Sequence, residues 1–223
     1  MPVNAAEDAA SDASPPRRRS TGDKRSLILD AATSVFARTG YHGARVSDIA
    51  SEAGIAYGLV YHYFKNKEEI LDTIFRERWS GFLEAVDAIA EGAASTEDKL
   101  LSIAALILNA QRVRPDWVKV LVFEIQRSAR FAQPEQLRAV GRLFQTVARI
   151  LRAGQASGEL RGDLDPDVAC YVFIGGLELV VTGRVLELVE IEGSEQESDF
   201  HVKMARTVVD LFLRGFLADQ EAR

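Results

Sequence analysis

The stretch DIASEAGIAYGLVYHYF, Asp48 to Phe64, decides how this sequence is read. Asp48 to Ala53 has the composition of a short helix, Gly54 supplies a tight turn, and Ala56 to Phe64 makes a second short helix. That is helix-turn-helix spacing. On the second helix Val60, Tyr63 and Phe64 fall on the side of Ile49 and Ala50, the core side. Tyr57, Gly58, Tyr61 and His62 fall on the opposite, wet side, and Lys65 and Lys67 follow at once.

A core accounts for half of these aromatics and leaves the other half for a partner. Tyrosine hydroxyls and a histidine nitrogen hydrogen-bond phosphate oxygens. Gly58 lets the helix approach a duplex closely, and Leu59 is placed to touch a thymine methyl. Lys65 and Lys67 sit at the loop and N-terminus of the next helix, where amides and positive charge together favour phosphate.

Outward from this unit the chain is helical. Upstream, Leu27, Ile28, Ala31, Val35 and Phe36 form one apolar face of a helix expected to stop at Gly40. Downstream, Asn66 is a natural N-cap with Glu68 and Glu69 in the first turn of a long helix. Ile70, Leu71, Ile74, Phe75, Phe82 and Val86 form its stripe. Ser95 or Thr96 caps the next helix, and Pro115 opens another that is read through Phe131. Helices ending at Gly158, starting at Asp165 and covering Phe200 to Ala218 complete the chain. Strand alternation, βαβ patterning and a fixed repeat period are absent, so the expected fold class is all-α, about nine helices, with a three-helix unit leading.

Composition narrows the function. The 223 residues are 47% hydrophobic, enough to bury a core. The single cysteine, Cys170, forms no internal disulfide and supports no cysteine metal cluster. The net charge is −6 but unevenly spread: residues 15–79 hold eleven Lys/Arg against eight Asp/Glu, a net of +3. A locally basic unit in an acidic chain still binds DNA, because phosphate contacts act at short range. The first residues carry Glu7, Asp8 and Asp12 and no apolar export segment, and the apolar run Leu100 to Leu108 is far shorter than the ~20 residues of a membrane span. A cytoplasmic protein with no membrane partner is expected.

The segment Ile28 to Leu71 resembles the DNA-binding domain of the TetR family of bacterial repressors. The pieces AA..VFA..GY, DIA.EAG and G..YHYF..KEEIL stand in that family's order and spacing. The resemblance implies a DNA-binding domain over 23–68, a ligand-binding and dimerisation domain over 69–223, and pairing of the last two helices with those of a second subunit. It implies a homodimer on a palindromic double-stranded DNA operator, released by a small-molecule effector, with no cofactor and no metal. Two departures stand out. The family's usual Thr or Ser before the first motif helix is replaced by Ala44 and Arg45, leaving the hydroxyl role to Ser47. The second helix begins Ala56-Tyr57-Gly58-Leu59 where the family commonly has Ser-Lys-Gly-Thr. The operators of better-known members are therefore not transferable. Residues 1–22 form an arm ending PPRRRSTG, and Arg17, Arg18 and Arg19 fit either a minor-groove contact or a solvated tail.

A looser resemblance, carried by RSARF and GQASGELRGDLDPDVACYVFIGGLE, is to FadR-type regulators of fatty-acid degradation, which respond to long-chain acyl-CoA. It implies an apolar pocket. Candidate liners are Phe82, Leu106, Trp117, Leu121, Phe131, Phe144, Tyr171 and Phe173, with Arg127, Arg130 and Arg138 placed to meet a phosphate or carboxylate at the mouth. Ordinary core packing accounts for each apolar liner more readily than a ligand does, and a solvated face for each arginine. Glu124 and Glu178 lie in apolar stretches, where a ligand contact and an ion pair both remain open. Leu177, Val181, Val185 and Leu188, with Val208, Leu211, Phe212 and Phe216, make stripes wider than one helix pair buries, and a symmetric dimer interface uses them.

Other functions fit less well. No G-x-S-x-G, P-loop, HExxH or CxxC is present, and the three histidines are scattered, so an enzyme is not expected. A regulator of another ligand class, serving drug or aromatic efflux or catabolism, and a helical adaptor that has lost DNA binding remain as alternatives.

Overall fold

The computed structural model describes residues 21–125, 134–188 and 197–214. Among these the elements are α1 (Thr21–Gly43), α2 (Val46–Glu52), α3 (Tyr57–Tyr63), α4 (Lys67–Glu91), α5 (Thr96–Val113), α6 (Pro115–Val120), α7 (Pro134–Ser157), α8 (Pro166–Val185) and α9 (Glu197–Arg214). The all-α expectation holds.

The caps behave as their chemistry demands. The Asn66 side chain accepts from the Glu69 N–H at 2.9 Å, the Ser95 hydroxyl from Asp98 N–H at 3.1 Å, and the Asp165 carboxylate from Asp167 N–H at 2.8 Å. Of the two residues read as caps for α5, Ser95 therefore does the work, while Thr96 is buried.

One boundary holds and one differs from the sequence reading. The first run of α1 breaks at Gly40, as expected, and a short further turn carries the element to Gly43. Gly40 sits at φ 71°, ψ 159°, a conformation nearly closed to residues with a Cβ, and the bend lets Tyr41 fold in against Phe36. The helix opened by Pro115 keeps α geometry only to Val120; Leu121–Ile125 then widen into a π-helical turn. Such insertions often mark functional positions, because they re-aim side chains that a regular helix would hide.

The leading unit packs α1, α2 and α3 around Ile28, Val35, Phe36, Ile49, Val60 and Phe64, and the N-terminal turns of α4 close it with Ile70, Leu71 and Ile74. The same core runs on among α4, α5, α7, α8 and α9, where Val86, Leu100, Ile103, Val147, Phe173 and Leu177 are inaccessible to solvent or nearly so. Helix α6 packs on both α1 and α5.

Helix α8 is long and apolar enough, by composition alone, to cross a membrane, with a mean hydropathy of 1.6. Its inner side, Phe173, Ile174 and Leu177, belongs to the core. Its outer side exposes Val168, Tyr171, Val172, Leu179 and Leu186. This corrects the expected interface: Leu177 is 0% exposed and cannot meet a partner, and Val181 is buried as well. Leu188 and Leu211 are exposed, Val185, Val208 and Phe212 are partly covered, and Phe216 lies outside the described residues.

Candidate DNA-binding face and effector cavity

The α2–α3 turn is fixed by backbone chemistry. Gly54 adopts φ 63°, Ile55 N–H donates to Ala50 O at 3.0 Å and Gly54 N–H to Ser51 O at 3.1 Å. This paired closure ends α2 and starts α3 at a defined angle. At the other end of α2, Arg45 N–H donates to the Asp48 carboxylate at 3.1 Å, and the Ser47 hydroxyl donates to the same group at 3.3 Å. Arg45 and Ser47 are both exposed.

Helix α3 is oriented as its periodicity dictates. Val60 is buried and Tyr63 half-buried, with Phe64 closing the end; Tyr57, Gly58, Tyr61 and His62 face solvent, and Leu59 is half-buried. Tyr57 and Tyr61, one turn apart, join hydroxyl to hydroxyl at 3.0 Å with rings edge-on at 5.2 Å. That shared bond raises the Tyr61 pKa above its ordinary value. Lys65 is exposed, and its backbone N–H is held by the Glu69 carboxylate at 2.7 Å.

Lys67 departs from expectation. Its ammonium donates to the backbone carbonyls of Tyr41, His42 and Ala44 at 2.8, 3.3 and 3.0 Å and lies 4.6 Å from the centre of the Tyr41 ring. An ammonium has three donors, and all three are engaged. Lys67 is therefore a clamp between the start of α4 and the α1–α2 connection, not a phosphate contact. Sequence reading missed it because the acceptors are backbone groups more than twenty residues away. Arg17, Arg18 and Arg19 lie outside the described residues.

The second feature is a half-open cavity of about 690 Å³ lined by residues of α4, α5, α6, the π-helical turn, α7 and α8. Phe82, Leu106, Trp117, Leu121, Phe144 and Glu178 line it. Two other candidates do not. Phe173 is 1% exposed and packs on Phe212 with ring centres 5.1 Å apart, as plain core. Tyr171 stands 62% exposed on the outer face of α8, stacked on Phe144. The Glu124 side chain, Arg127, Arg130 and Phe131 lie outside the described residues. Among the liners the sequence reading passed over are Trp79, Asn109, Arg114, Val140 and Ile174. Trp79 carried a legible signal, standing between Phe75 and Phe82 on one helix face; its indole N–H donates to Ala139 O at 3.0 Å, and its ring packs against both phenylalanines.

The cavity touches what holds the DNA-facing unit. Arg78, a liner, donates to Asp30 of α1 at 2.6 Å, and its neighbour Glu77 accepts from Arg25 of α1 at 2.6 Å. Asp116, beside Trp117, accepts the Ser34 hydroxyl of α1 at 2.7 Å. A second, open depression between α4 and α7 is ionic; there Arg142 and Thr146 both donate to Asp87.

Comparison with known proteins agrees with this geometry. The family described as "Bacterial regulatory proteins, tetR family" matches residues 28–74, the span from α1 into α4. The HTH-type transcriptional repressor KstR2 of Mycobacterium tuberculosis strain H37Rv is 32% identical over 158 residues, covering 68% of this chain and 76% of that protein. The chain belongs to the TetR family. It is a ligand-controlled, DNA-binding transcriptional repressor of that family. The fatty acid metabolism regulator protein of Bacillus subtilis strain 168 is 29% identical over 188 residues, covering 84% of this chain and 93% of that one. The crystal structure of the Bacillus subtilis transcriptional regulator FadR in complex with stearoyl-CoA superposes with a TM-score of 0.74 at 28% identity, covering 86% of this chain and 99% of that one.

Proposed function

We propose that this TetR-family member acts in the cytoplasm as a homodimer on a palindromic operator and is released by a long-chain acyl-CoA. The observation that carries the effector half is the apolar cavity bounded by α4 and α6, the helices tied to α1 by Arg78–Asp30 and Asp116–Ser34. An acyl chain suits walls such as Phe82, Leu106, Trp117 and Phe144. Arg114 at the rim, with Asn109, offers polar contact for the head group. The similarity to the Bacillus subtilis regulator bound to stearoyl-CoA supports this choice of ligand.

An occupied cavity presses on Trp117 and on the Trp79–Phe82 segment of α4. Motion of either helix is passed to α1 through the ties named above, and α1 carries α2 and α3 with it. The ligand shifts the balance only by as much as it prefers the DNA-incompetent arrangement. On the DNA side Arg45, Ser47, Tyr57, Gly58, Leu59, Tyr61, His62 and Lys65 form the contact face. Residues 23–68 are the DNA-binding unit and 69–223 the effector and dimerisation unit.

The dimer reading rests on the outer stripe of α8, with Leu188 beyond its end and Leu211 of α9. Gly175 and Gly176 lie on that stripe and have open space where a side chain would stand, which admits a partner helix at close range. Two recognition helices placed by such a dimer would reach successive major grooves roughly 34–36 Å apart.

The deciding experiment titrates stearoyl-CoA into protein bound to duplex DNA flanking its gene. Anisotropy follows release, and intrinsic fluorescence of Trp79 and Trp117 follows cavity filling. Release together with a change in fluorescence supports the reading. DNA binding and fluorescence both indifferent to stearoyl-CoA would remove acyl-CoA as the effector.

A further inference from the structure

We propose that the tyrosine pair Tyr57–Tyr61 is the sequence-reading element of α3 and that it reads thymine methyl groups. This rests on the DNA-binding role of α3 and adds what that helix recognises. From Tyr57 to Tyr63 the helix reads YGLVYHY, with no Arg, Lys, Asn, Gln, Asp or Glu. The bidentate contacts by which guanine and adenine edges are ordinarily told apart are thus beyond its side chains.

What α3 presents instead is a rigid apolar wedge. The two rings are 53% and 45% exposed and held edge-on at 5.2 Å. Of the two hydroxyl protons one closes the mutual bond, so the pair offers a single O–H donor outward. Beside the rings Gly58 has nothing within 4 Å of where a Cβ would stand, which leaves open floor against exposed backbone. The C5-methyl of thymine is the apolar group of the major groove and suits this surface. Tyrosine also loses little conformational entropy on contact, because the wedge is already ordered by its partner ring.

The test begins with selection of tight-binding duplexes from a random pool by the full-length protein. Each thymine of the selected half-site is then replaced by deoxyuridine, which removes only the methyl, and affinity is read by anisotropy. One or two positions per half-site should weaken binding about fourfold each, the change that corresponds to about 0.8 kcal/mol per buried methyl. Tyr57→Phe should keep this sensitivity, since the ring does the reading, and Tyr57→Ala should abolish it. Both side chains are exposed, and circular dichroism checks that the variants fold. Equal affinity for thymine and deoxyuridine at every position would overturn the inference while leaving α3 as a DNA-binding helix. Sensitivity that survives in both Tyr57→Ala and Tyr61→Ala would also overturn it. A pool that never enriches would remove the DNA-binding reading itself, and this inference with it.

Discussion

Replacing Lys67 with methionine separates two roles that predict different numbers. Methionine keeps a flexible apolar stem against Tyr41 but removes three hydrogen bonds to the carbonyls of Tyr41, His42 and Ala44. A net hydrogen bond contributes roughly 0.5–1.5 kcal/mol, and somewhat more when one partner is charged. Three bonds at a half-buried site, discounted for solvent screening, place the loss near 2 kcal/mol. For a chain of this size that lowers Tm by about 4–8 °C, measured at fixed protein concentration because a dimer's Tm depends on it. If Lys67 is a clamp, Lys67→Met lowers Tm and weakens DNA binding without changing the slope of log affinity against log salt. If it contacts phosphate, Tm stays put and the slope falls by about 0.9 per subunit. Unchanged stability with a reduced salt slope would refute the clamp. Lys65→Ala is the matched control, expected to reduce the slope and leave Tm within about 1 °C, because its side chain is exposed.

Leu179→Glu, at a position 72% exposed in the single subunit, should leave the fold intact and shift the protein to monomers in sedimentation velocity; a dimer of unchanged affinity would show that the α8 stripe is not the interface. Ala110→Phe grows a ring into the cavity and should give a repressor that binds DNA but no longer responds to stearoyl-CoA; retained response in the anisotropy titration would place the effector elsewhere. Gly154→Ala should destabilise the protein by about 1–3 kcal/mol in urea, because the new Cβ would stand 2.5 Å from Oγ1 of the buried Thr96. Glu159 is held below the usual carboxylate range, first by the Thr96 N–H and then by the Ser157 hydroxyl. A depressed folded pKa means its stabilisation is present above the ordinary glutamate value, about 4.3, and is lost as pH falls below it. Glu159→Gln should therefore flatten the acid limb of a stability–pH profile, and an identical limb would discount this contact.

The helix-turn-helix was legible because its signals are local. Gly54, the apolar Ile49–Ala50–Val60 side and the Asn66 cap all act within a few residues of where they stand, and the structure uses each as its chemistry demands. The cavity was legible as a class of residue but not as a list. Trp117 and Phe144 reach it while Phe173 does not, because that choice depends on which neighbouring helix covers each ring. Helix α8 is the harder case. Apolar residues occupy both of its sides, so periodicity gave no inner face: Leu177 was expected at the interface, yet packing buries it and leaves Leu179 in solvent. Lys67 was beyond local reading for a different reason: its partners are carbonyls that carry no sequence signature.

Stiffness is unevenly distributed along the path from cavity to DNA, and that unevenness bears on how the repressor is switched. Inside the DNA-facing unit, Lys67 binds three carbonyls and an apolar core surrounds Phe36, Ile49 and Val60, so α1–α3 and the first turn of α4 move as one body. Between that body and the effector unit, the ties Arg25–Glu77 and Arg78–Asp30 join partly exposed side chains. Such pairs contribute roughly 0–1 kcal/mol each, and Ser34–Asp116 adds one exposed hydrogen bond. A ligand preference of about 1–3 kcal/mol between two arrangements is then enough to re-seat the joint, whereas it could not unfold the unit beyond it. The joint yields and the reading head does not. Charge-neutral variants at the joint, Asp30→Asn with Arg78→Gln, should accordingly change the stearoyl-CoA concentration needed for release while leaving ligand-free DNA affinity within about threefold. A large loss of ligand-free affinity would place these pairs inside the rigid body and move the hinge elsewhere.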